Sequence, residues 1–222
     1  MREISVFDVI GPNMIGPSSS HTAGALRIAR MAQKMVRGRI CSVRFVLYGS
    51  FARTYKGHGT DRALLAGILG YGPEDLRIRN SFDCAKEAGI EYRFEANTVN
   101  QDVHPNTVEI FITEESGRAL SVMGESIGGG SAVLKRLNGI DIALSGEYQT
   151  LLVEQRDEPG VLAYITACLG EEKINIAFLR MYRENRGEAA YTVIEVDGEI
   201  PVDVVDKVER HPAVGNVTLI QL

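Results

Sequence analysis

The chain has 222 residues, 45% of them hydrophobic, which is enough for one large core or two modest ones. No stretch approaches the about 20 consecutive apolar residues that a membrane helix needs, and no apolar leader segment follows Met1, so we expect a cytoplasmic protein with no membrane span. The net charge of −5 is uneven, being +2 over residues 1–146 and −7 over residues 147–222. This asymmetry predicts two domains.

Basic residues are concentrated near the N-terminus. Nine of them lie between Arg27 and Arg62, where Asp61 is the single acidic residue. This region favours an anionic ligand or an acidic partner. Nucleic acid is a weaker interpretation, because no basic run with stacking aromatic residues accompanies the charge.

The three cysteines, Cys41, Cys84 and Cys168, are far apart in sequence and form no C-x-x-C motif. We therefore predict that they are reduced, buried packing residues and that this chain by itself holds no metal.

Two short helical patterns open the chain. Ser5 followed by Asp8 resembles a capping box for a single helical turn over residues 4–10. From Thr22 to Val36, apolar residues recur at three- and four-residue spacing, and Gly38 follows as a stop. This spacing predicts one amphipathic helix of about four turns.

The segment Gly16–Thr22, which reads Gly-Pro-Ser-Ser-Ser-His-Thr, lies at the start of that helix. Free backbone N–H groups and the positive end of the helix dipole favour a carboxylate or phosphate there. Hydroxyl groups add donors, and a histidine in this setting tends to stay neutral and available as a base. One serine would suffice as an N-cap, so three serines followed by His21 favour a functional site over a cap alone.

A strand is predicted over Ile40–Tyr48, with Cys41 on its apolar face. The segment Gly57–Asp61 then forms a second polar turn that opens a helix, with Thr60 as the expected N-cap. His58 lies between two glycines, which offer no side chain to bury it, so we expect it to be exposed, and we slightly prefer a ligand-facing role for it over that of a plain loop residue.

The middle of the chain alternates like a sheet. A helix is predicted over Asn80–Gly89, His104 is explained by turn chemistry before a proline, and Gly128–Ser131 favours a bulge or hinge. Strands are predicted over residues 90–96, 108–112 and 120–123, and over residues 133–137 and 140–144 on either side of Asn138-Gly139, the strongest hairpin signal in the chain.

The region after Ser145-Gly146 predicts strand, helix, strand, strand, helix and strand. This βαββαβ order is typical of a ferredoxin-like domain with helices on one face of an antiparallel sheet. The predicted fold class is therefore α+β, with a mixed α/β domain over residues 1–146 and a ferredoxin-like domain over residues 147–222.

The C-terminal domain resembles the ACT domain, a small amino-acid-sensing module, through Asp157–Leu162 (Asp-Glu-Pro-Gly-Val-Leu) and Asn175-Ile176. The resemblance implies a regulatory ligand at an interface between two such domains. Its contacts would be Gln155, Asp157, Gly160 and Asn175.

The chain from Gly16 onward resembles the β chain of bacterial iron–sulfur-dependent L-serine dehydratases. Four segments carry this resemblance: Gly16–Thr22, Gly57–Asp61, His104-Pro105-Asn106 and Ser126–Gly130. The N-terminal part also resembles the ASB domain of some phosphoglycerate dehydrogenases. The resemblance implies a hetero-oligomer whose separate α chain holds a [4Fe-4S] cluster, with further self-association through ACT domains.

The resemblance implies elimination of water from L-serine to give pyruvate and ammonia, with the cluster as Lewis acid for the leaving hydroxyl and a base for the α-proton. Catalytic roles would fall on His21 and His58, without distinction between them. The substrate carboxylate would be held by Ser18, Ser19, Ser20 and Thr22.

Two other classes of function fit the sequence. The chain could be a purely regulatory amino-acid-binding subunit with no catalytic residues. It could also be a structural dimer formed through its ACT domains without any small ligand.

Overall fold

The computed structural model describes residues 13–99 and 102–222. The chain divides into two compact units, residues 1–139 and 140–222. The predicted domains, 1–146 and 147–222, stay a prediction, and the predicted turn at Ser5–Asp8 lies outside the described residues. In the part of the chain that is described, no helix is long and apolar enough to cross a membrane.

The predicted first helix is present, but its first turn is π-helical. A π turn, Ser19–Gly24, leads directly into α1, Ala25–Lys34. The apolar residues of α1 are buried, as its three- and four-residue spacing predicts, whereas Arg27 and Arg30 are half-buried and Lys34 is exposed. The other helices among the described residues of the first unit are α2 (Gly49–Thr54), α3 (Thr60–Ile68), a 3₁₀ helix (Leu76–Asn80) and α4 (Ser81–Glu87).

The first sheet has the strand order β2-β1-β3-β4-β5-β6. The β1–β2 pair is parallel, whereas β1–β3, β3–β4 and β4–β5 are antiparallel. The strands are β1 (Ile40–Tyr48), β2 (Glu91–Asn97), β3 (Thr107–Glu114), β4 (Ala119–Gly128), β5 (Ser131–Leu137) and β6 (Ile140–Leu144).

Two glycines let α1 pack closely on its neighbours. A Cβ on Gly67 of α3 would lie 2.6 Å from Cβ of Ala29, and one on Gly124 of β4 would lie 2.5 Å from Cγ2 of Ile28. The helix is therefore fixed between α3 and the sheet, which positions the π turn at its start.

Three sequence predictions are corrected. Cys41 is exposed and not buried, because the β1–β3 register shifts between Ile40 and Ser42 and interrupts the alternation there. Gly59, with φ +67°, precedes α3 as its N-cap, and Thr60 is the first helical residue. His58 is half-buried in spite of its two glycine neighbours.

The bulge and hairpin predictions are confirmed. The β4–β5 register shifts between Ser126 and Gly128, and Asn138 and Gly139 both have positive φ, 48° and 87°, between β5 and β6.

The second unit has the predicted βαββαβ order, with the antiparallel sheet β10-β7-β9-β8. Its core joins the two helices to one face of that sheet through residues such as Val153, Ile165 and Val204. Its elements are β7 (Gln149–Arg156), α5 (Val161–Glu171), β8 (Asn175–Arg183), β9 (Ala189–Asp197), α6 (Val202–Glu209) and β10 (Val214–Ile220).

Candidate active site at the start of the first helix

The Gly16–Thr22 segment turns tightly into the π turn. Gly16 has φ +134°, and a Cβ there would lie 2.4 Å from Cγ2 of Thr22, so only glycine fits. Ser18 is the N-cap, and its Oγ accepts a hydrogen bond from the backbone N–H of His21 at 3.1 Å. Ser19 and Ser20 follow as the first helical residues, where no preceding carbonyl is available to their N–H groups. All three serines are half-buried.

The imidazole of His21 is held between two serine hydroxyls. Its Nε2 lies 2.9 Å from Oγ of Ser50 at the start of α2, and its Nδ1 lies 3.4 Å from Oγ of Ser18. The ring of Phe51 packs edge-on against it at 5.4 Å between centroids. Burial, and secondarily the neighbouring charge of His58, lower the pKa of His21 below its usual value, so the neutral ring is favoured.

His58 lies beside His21. The two ring centroids are 4.8 Å apart with an angle of 65° between the planes. The backbone carbonyl of His58 accepts a hydrogen bond from Oγ1 of Thr22 at 3.1 Å, which ties the turn after α2 to the π turn. Nδ1 of His58 is buried, and neither ring nitrogen of His58 bonds to a described residue. Two segments 36 residues apart thus bring both predicted histidines together.

The other two segments singled out in the sequence brace this site. The backbone oxygen of Asn106 accepts a hydrogen bond from the N–H of Ser126 at 2.9 Å. The hydroxyl of Ser126 in turn donates a hydrogen bond to the backbone oxygen of Ser20 at 2.8 Å. Pro105 accepts at its backbone oxygen from the N–H of Ser50 at 2.6 Å. All four segments therefore belong to one hydrogen-bonded assembly.

Thr22 and Ser50 both take part in this assembly. Thr22 is 2% exposed, and its hydroxyl donates to the backbone oxygen of His58. Ser50 was missed by sequence reasoning. The available signal was a Gly-Ser pair directly after the buried strand β1, at the edge where a loop can carry function.

Known proteins are similar in sequence to this chain over most of its length. A family model described as the serine dehydratase beta chain matches residues 5–103. The L-serine dehydratase β chain of Peptoniphilus asaccharolyticus is 44% identical over 197 residues, 89% of each chain, and the probable β chain of Bacillus subtilis is 41% identical over 220 residues, 99% of each chain. This chain belongs to the L-serine dehydratase β-chain family. The predicted resemblance is confirmed, and the purely regulatory interpretation is not favoured.

The chain is also similar to part of a longer protein. The D-3-phosphoglycerate dehydrogenase of Methanocaldococcus jannaschii is 23% identical over 198 residues, which are 88% of this chain and 36% of that one.

The cysteines of this family member do not fit a cluster site. Cys41 lies on β1, Cys84 on α4 and Cys168 on α5, on three separate elements. Among residues 13–99 and 102–222, no group of three or more His, Cys, Asp or Glu side chains could hold a metal ion. A four-iron cluster needs its thiolate ligands together, which these three residues do not provide.

The predicted regulatory residues lie at two ends of the second sheet. Gln155 is 4% exposed near the end of β7, and Asp157 follows that strand. Asn175 begins β8, where it pairs with Asp197 and donates Nδ2 to its carboxylate at 2.7 Å. Arg156, next to Asp157, pairs with Ala189 at the start of β9, whereas Asn175 pairs with Asp197 at the end of β9. The length of β9, about 25 Å, therefore separates Asp157 from Asn175.

Gly160 and Asp157 shape the turn before α5. Gly160 has φ +93° and is the N-cap of α5. The carboxylate of Asp157 accepts from the N–H of Gly187 at 3.1 Å and pairs with the guanidinium of Arg183. The hydrogen bond from Gly187 lowers the pKa of Asp157 most, and the contact with Arg183 lowers it further, so Asp157 is an anion at neutral pH.

Proposed function

We propose that this chain completes the active site of an α chain, and that the pair converts L-serine to pyruvate and ammonia. The observation that carries the proposal is the contact of His21 with His58 at a serine-rich helix start, in a chain of the L-serine dehydratase β-chain family. The chain alone would be inactive, and we expect the assembly in the cytoplasm.

In this proposal His58 takes the α-proton of L-serine. Both ring nitrogens of His21 already contact serine hydroxyls, whereas His58 has no hydrogen bond from its ring to a described residue. A neutral His21 beside it avoids a second positive charge when His58 accepts the proton. Loss of the β-hydroxyl then gives aminoacrylate, which reacts with water to form pyruvate and ammonia.

The substrate carboxylate would bind at the start of the π turn. The hydroxyls of Ser18, Ser19 and Ser20 and the free N–H groups there provide donors for an anion. Thr22 would act indirectly, since its hydroxyl holds the His58 turn in place.

The [4Fe-4S] cluster would be held by the α chain, because the cysteines of this chain do not fit it. When bound there, it would supply Lewis acidity for the leaving hydroxyl. No residue of this chain is proposed as its ligand.

A regulatory amino acid would bind the second unit through Gln155, Asp157, Gly160 and Asn175. The distance between the ends of the sheet means that one module cannot bring all four to one small ligand. The proposal therefore includes self-association, in which Asn175 of a second copy completes the site.

The test is to purify the tagged chain anaerobically with its α chain, and to measure iron content and pyruvate formation from L-serine. We expect a complex with about four irons per pair, as one such cluster requires, and activity only when both chains are present. Recovery of an active α chain after removal of this chain would contradict the proposal. His58→Ala should keep the α chain bound but abolish turnover, whereas a regulatory subunit would lose only its response to amino acids.

A further inference from the structure

Ser50 is placed by the backbone around it and not by His21. Its N–H and that of Phe51 both donate to the backbone oxygen of Pro105, at 2.6 and 3.2 Å. Gly49 has φ +52°, and a Cβ there would lie 2.7 Å from Cα of Pro105, so glycine is required for this approach. The hydroxyl of Ser50 is therefore held where it meets Nε2 of His21 at 2.9 Å.

We propose that Ser50 is a positioning residue for the dehydratase reaction: its hydroxyl donates to Nε2 of His21 and fixes the ring proton on Nδ1. This inference rests on the proposed function, because the kinetic effect that we expect is a change in KM for L-serine.

The effect reaches the substrate through Ser18. Oγ of Ser18 lies 3.4 Å from Nδ1 of His21 and accepts the backbone N–H of His21 at 3.1 Å. With the ring proton on Nδ1, both contacts use Ser18 as an acceptor, and its own hydroxyl proton is free for the substrate carboxylate. With the ring proton on Nε2, Ser18 would instead have to donate to Nδ1, and that donor would be lost.

This arrangement requires a neutral His21 ring, and the surroundings of His21 favour that form. Burial lowers the pKa of His21, with a further contribution from His58, and Phe51 packs edge-on against the ring. A neutral imidazole has one N–H, so the choice between its two nitrogens is made by the partners of each.

The direct test is ¹⁵N NMR of the full chain with labelled histidine. The chain has 4 histidines, and the His21 signals are identified by their loss in a His21→Asn chain. We expect a single Nδ1–H form of His21 in the wild type and a mixture of the two forms in Ser50→Ala. A wild-type ring protonated at Nε2, or an unchanged ring in Ser50→Ala, would overturn the proposal.

The kinetic test uses the complex with the α chain. Ser50→Ala should raise KM for L-serine about tenfold, or about 1.4 kcal/mol, and change kcat much less, because it removes a donor to the carboxylate. Ser18→Ala should do the same, and the double variant should be no worse than Ser18→Ala alone. Additive effects of the two substitutions would contradict the proposal.

Two further variants separate positioning from folding. Ser50→Thr keeps the hydroxyl and should restore KM, whereas Ser42→Ala removes a half-buried serine hydroxyl from β1 and should leave KM at the wild-type value. If the wild-type complex forms no pyruvate, the proposed function fails, and the NMR experiment still decides whether Ser50 fixes the ring proton.

Discussion

Gly24 and Ser126 are in such close contact that no side chain fits between them. A Cβ on Gly24 would lie 2.0 Å from Oγ and 2.8 Å from Cβ of Ser126. The same Ser126 hydroxyl donates to the backbone oxygen of Ser20. One contact thus sets both how closely the π turn approaches β4 and where the serine segment lies.

Gly24→Ala should therefore destabilise the chain by about 1–3 kcal/mol through overpacking, and should also lower activity by displacing Ser20. Denaturant unfolding and pyruvate assays measure the two effects. Gly24→Ala combined with Ser126→Gly should recover part of the stability. Gly170→Ala is the matched control, because nothing lies near a Cβ at that position of α5. A Gly24→Ala chain as stable as the wild type would show that the contact does not constrain the turn.

His58→Ala should lower kcat of the complex by about 10²–10⁴-fold, the usual contribution of a general base, with little change in KM. His21→Asn should have a smaller effect on kcat, because the ring of His21 orients the site and does not take the α-proton. His211→Asn, in the second unit, is the control and should leave kcat unchanged. The assignment of the base is wrong if His21→Asn is the more damaging of the two.

The stability of the chain should fall in mild acid because of His21. Its pKa is lower in the folded chain than in the unfolded chain, where it is about 6.5. Above that value both states are neutral and the full stability is present. As the pH falls below it, the unfolded state binds the proton more readily, and stability is lost until the pH passes the folded pKa.

Denaturant unfolding between about pH 5 and 8 checks this dependence. The His21→Asn chain should lose less stability than the wild type over the acidic half of this range, and Ser42→Ala should follow the wild type. Identical slopes for His21→Asn and the wild type would mean that His21 titrates normally.

A ligand site shared by two C-terminal modules predicts complementation between defective chains. Asp157→Ala and Asn175→Ala should each abolish an amino-acid-dependent rise in melting temperature. In a mixed dimer, one of the two sites would carry both wild-type residues. Equal mixing of the variants should therefore restore binding at about a quarter of all sites, as measured by calorimetry. If the wild type binds the amino acid but the mixture of the two variants binds no more than either variant alone, a shared site is excluded.

Local sequence determined most of the secondary structure. The alternation over Ile40–Tyr48 and the Asn138-Gly139 pair predicted β1 and the β5–β6 hairpin correctly, because strand faces and positive-φ turns depend on neighbouring residues. The βαββαβ order of the second unit was also predicted, since its helices and strands have distinct apolar periods. Cys41 was misplaced because a bulge breaks the period of two, and a bulge depends on the partner strand.

The sequence by itself identified the serine-rich helix start, His21 and His58, because residue types and turn chemistry are local properties. Only the tertiary structure decided how these groups are used. Ser50 meets His21 across 29 residues and Ser126 meets Ser20 across 106, so neither contact leaves a pattern in nearby sequence. Thr22 is buried, and its hydroxyl bonds to the backbone oxygen of His58, 36 residues away. The packing of α1 against α3 and β4 brings these segments together, and it therefore determines the geometry of the site.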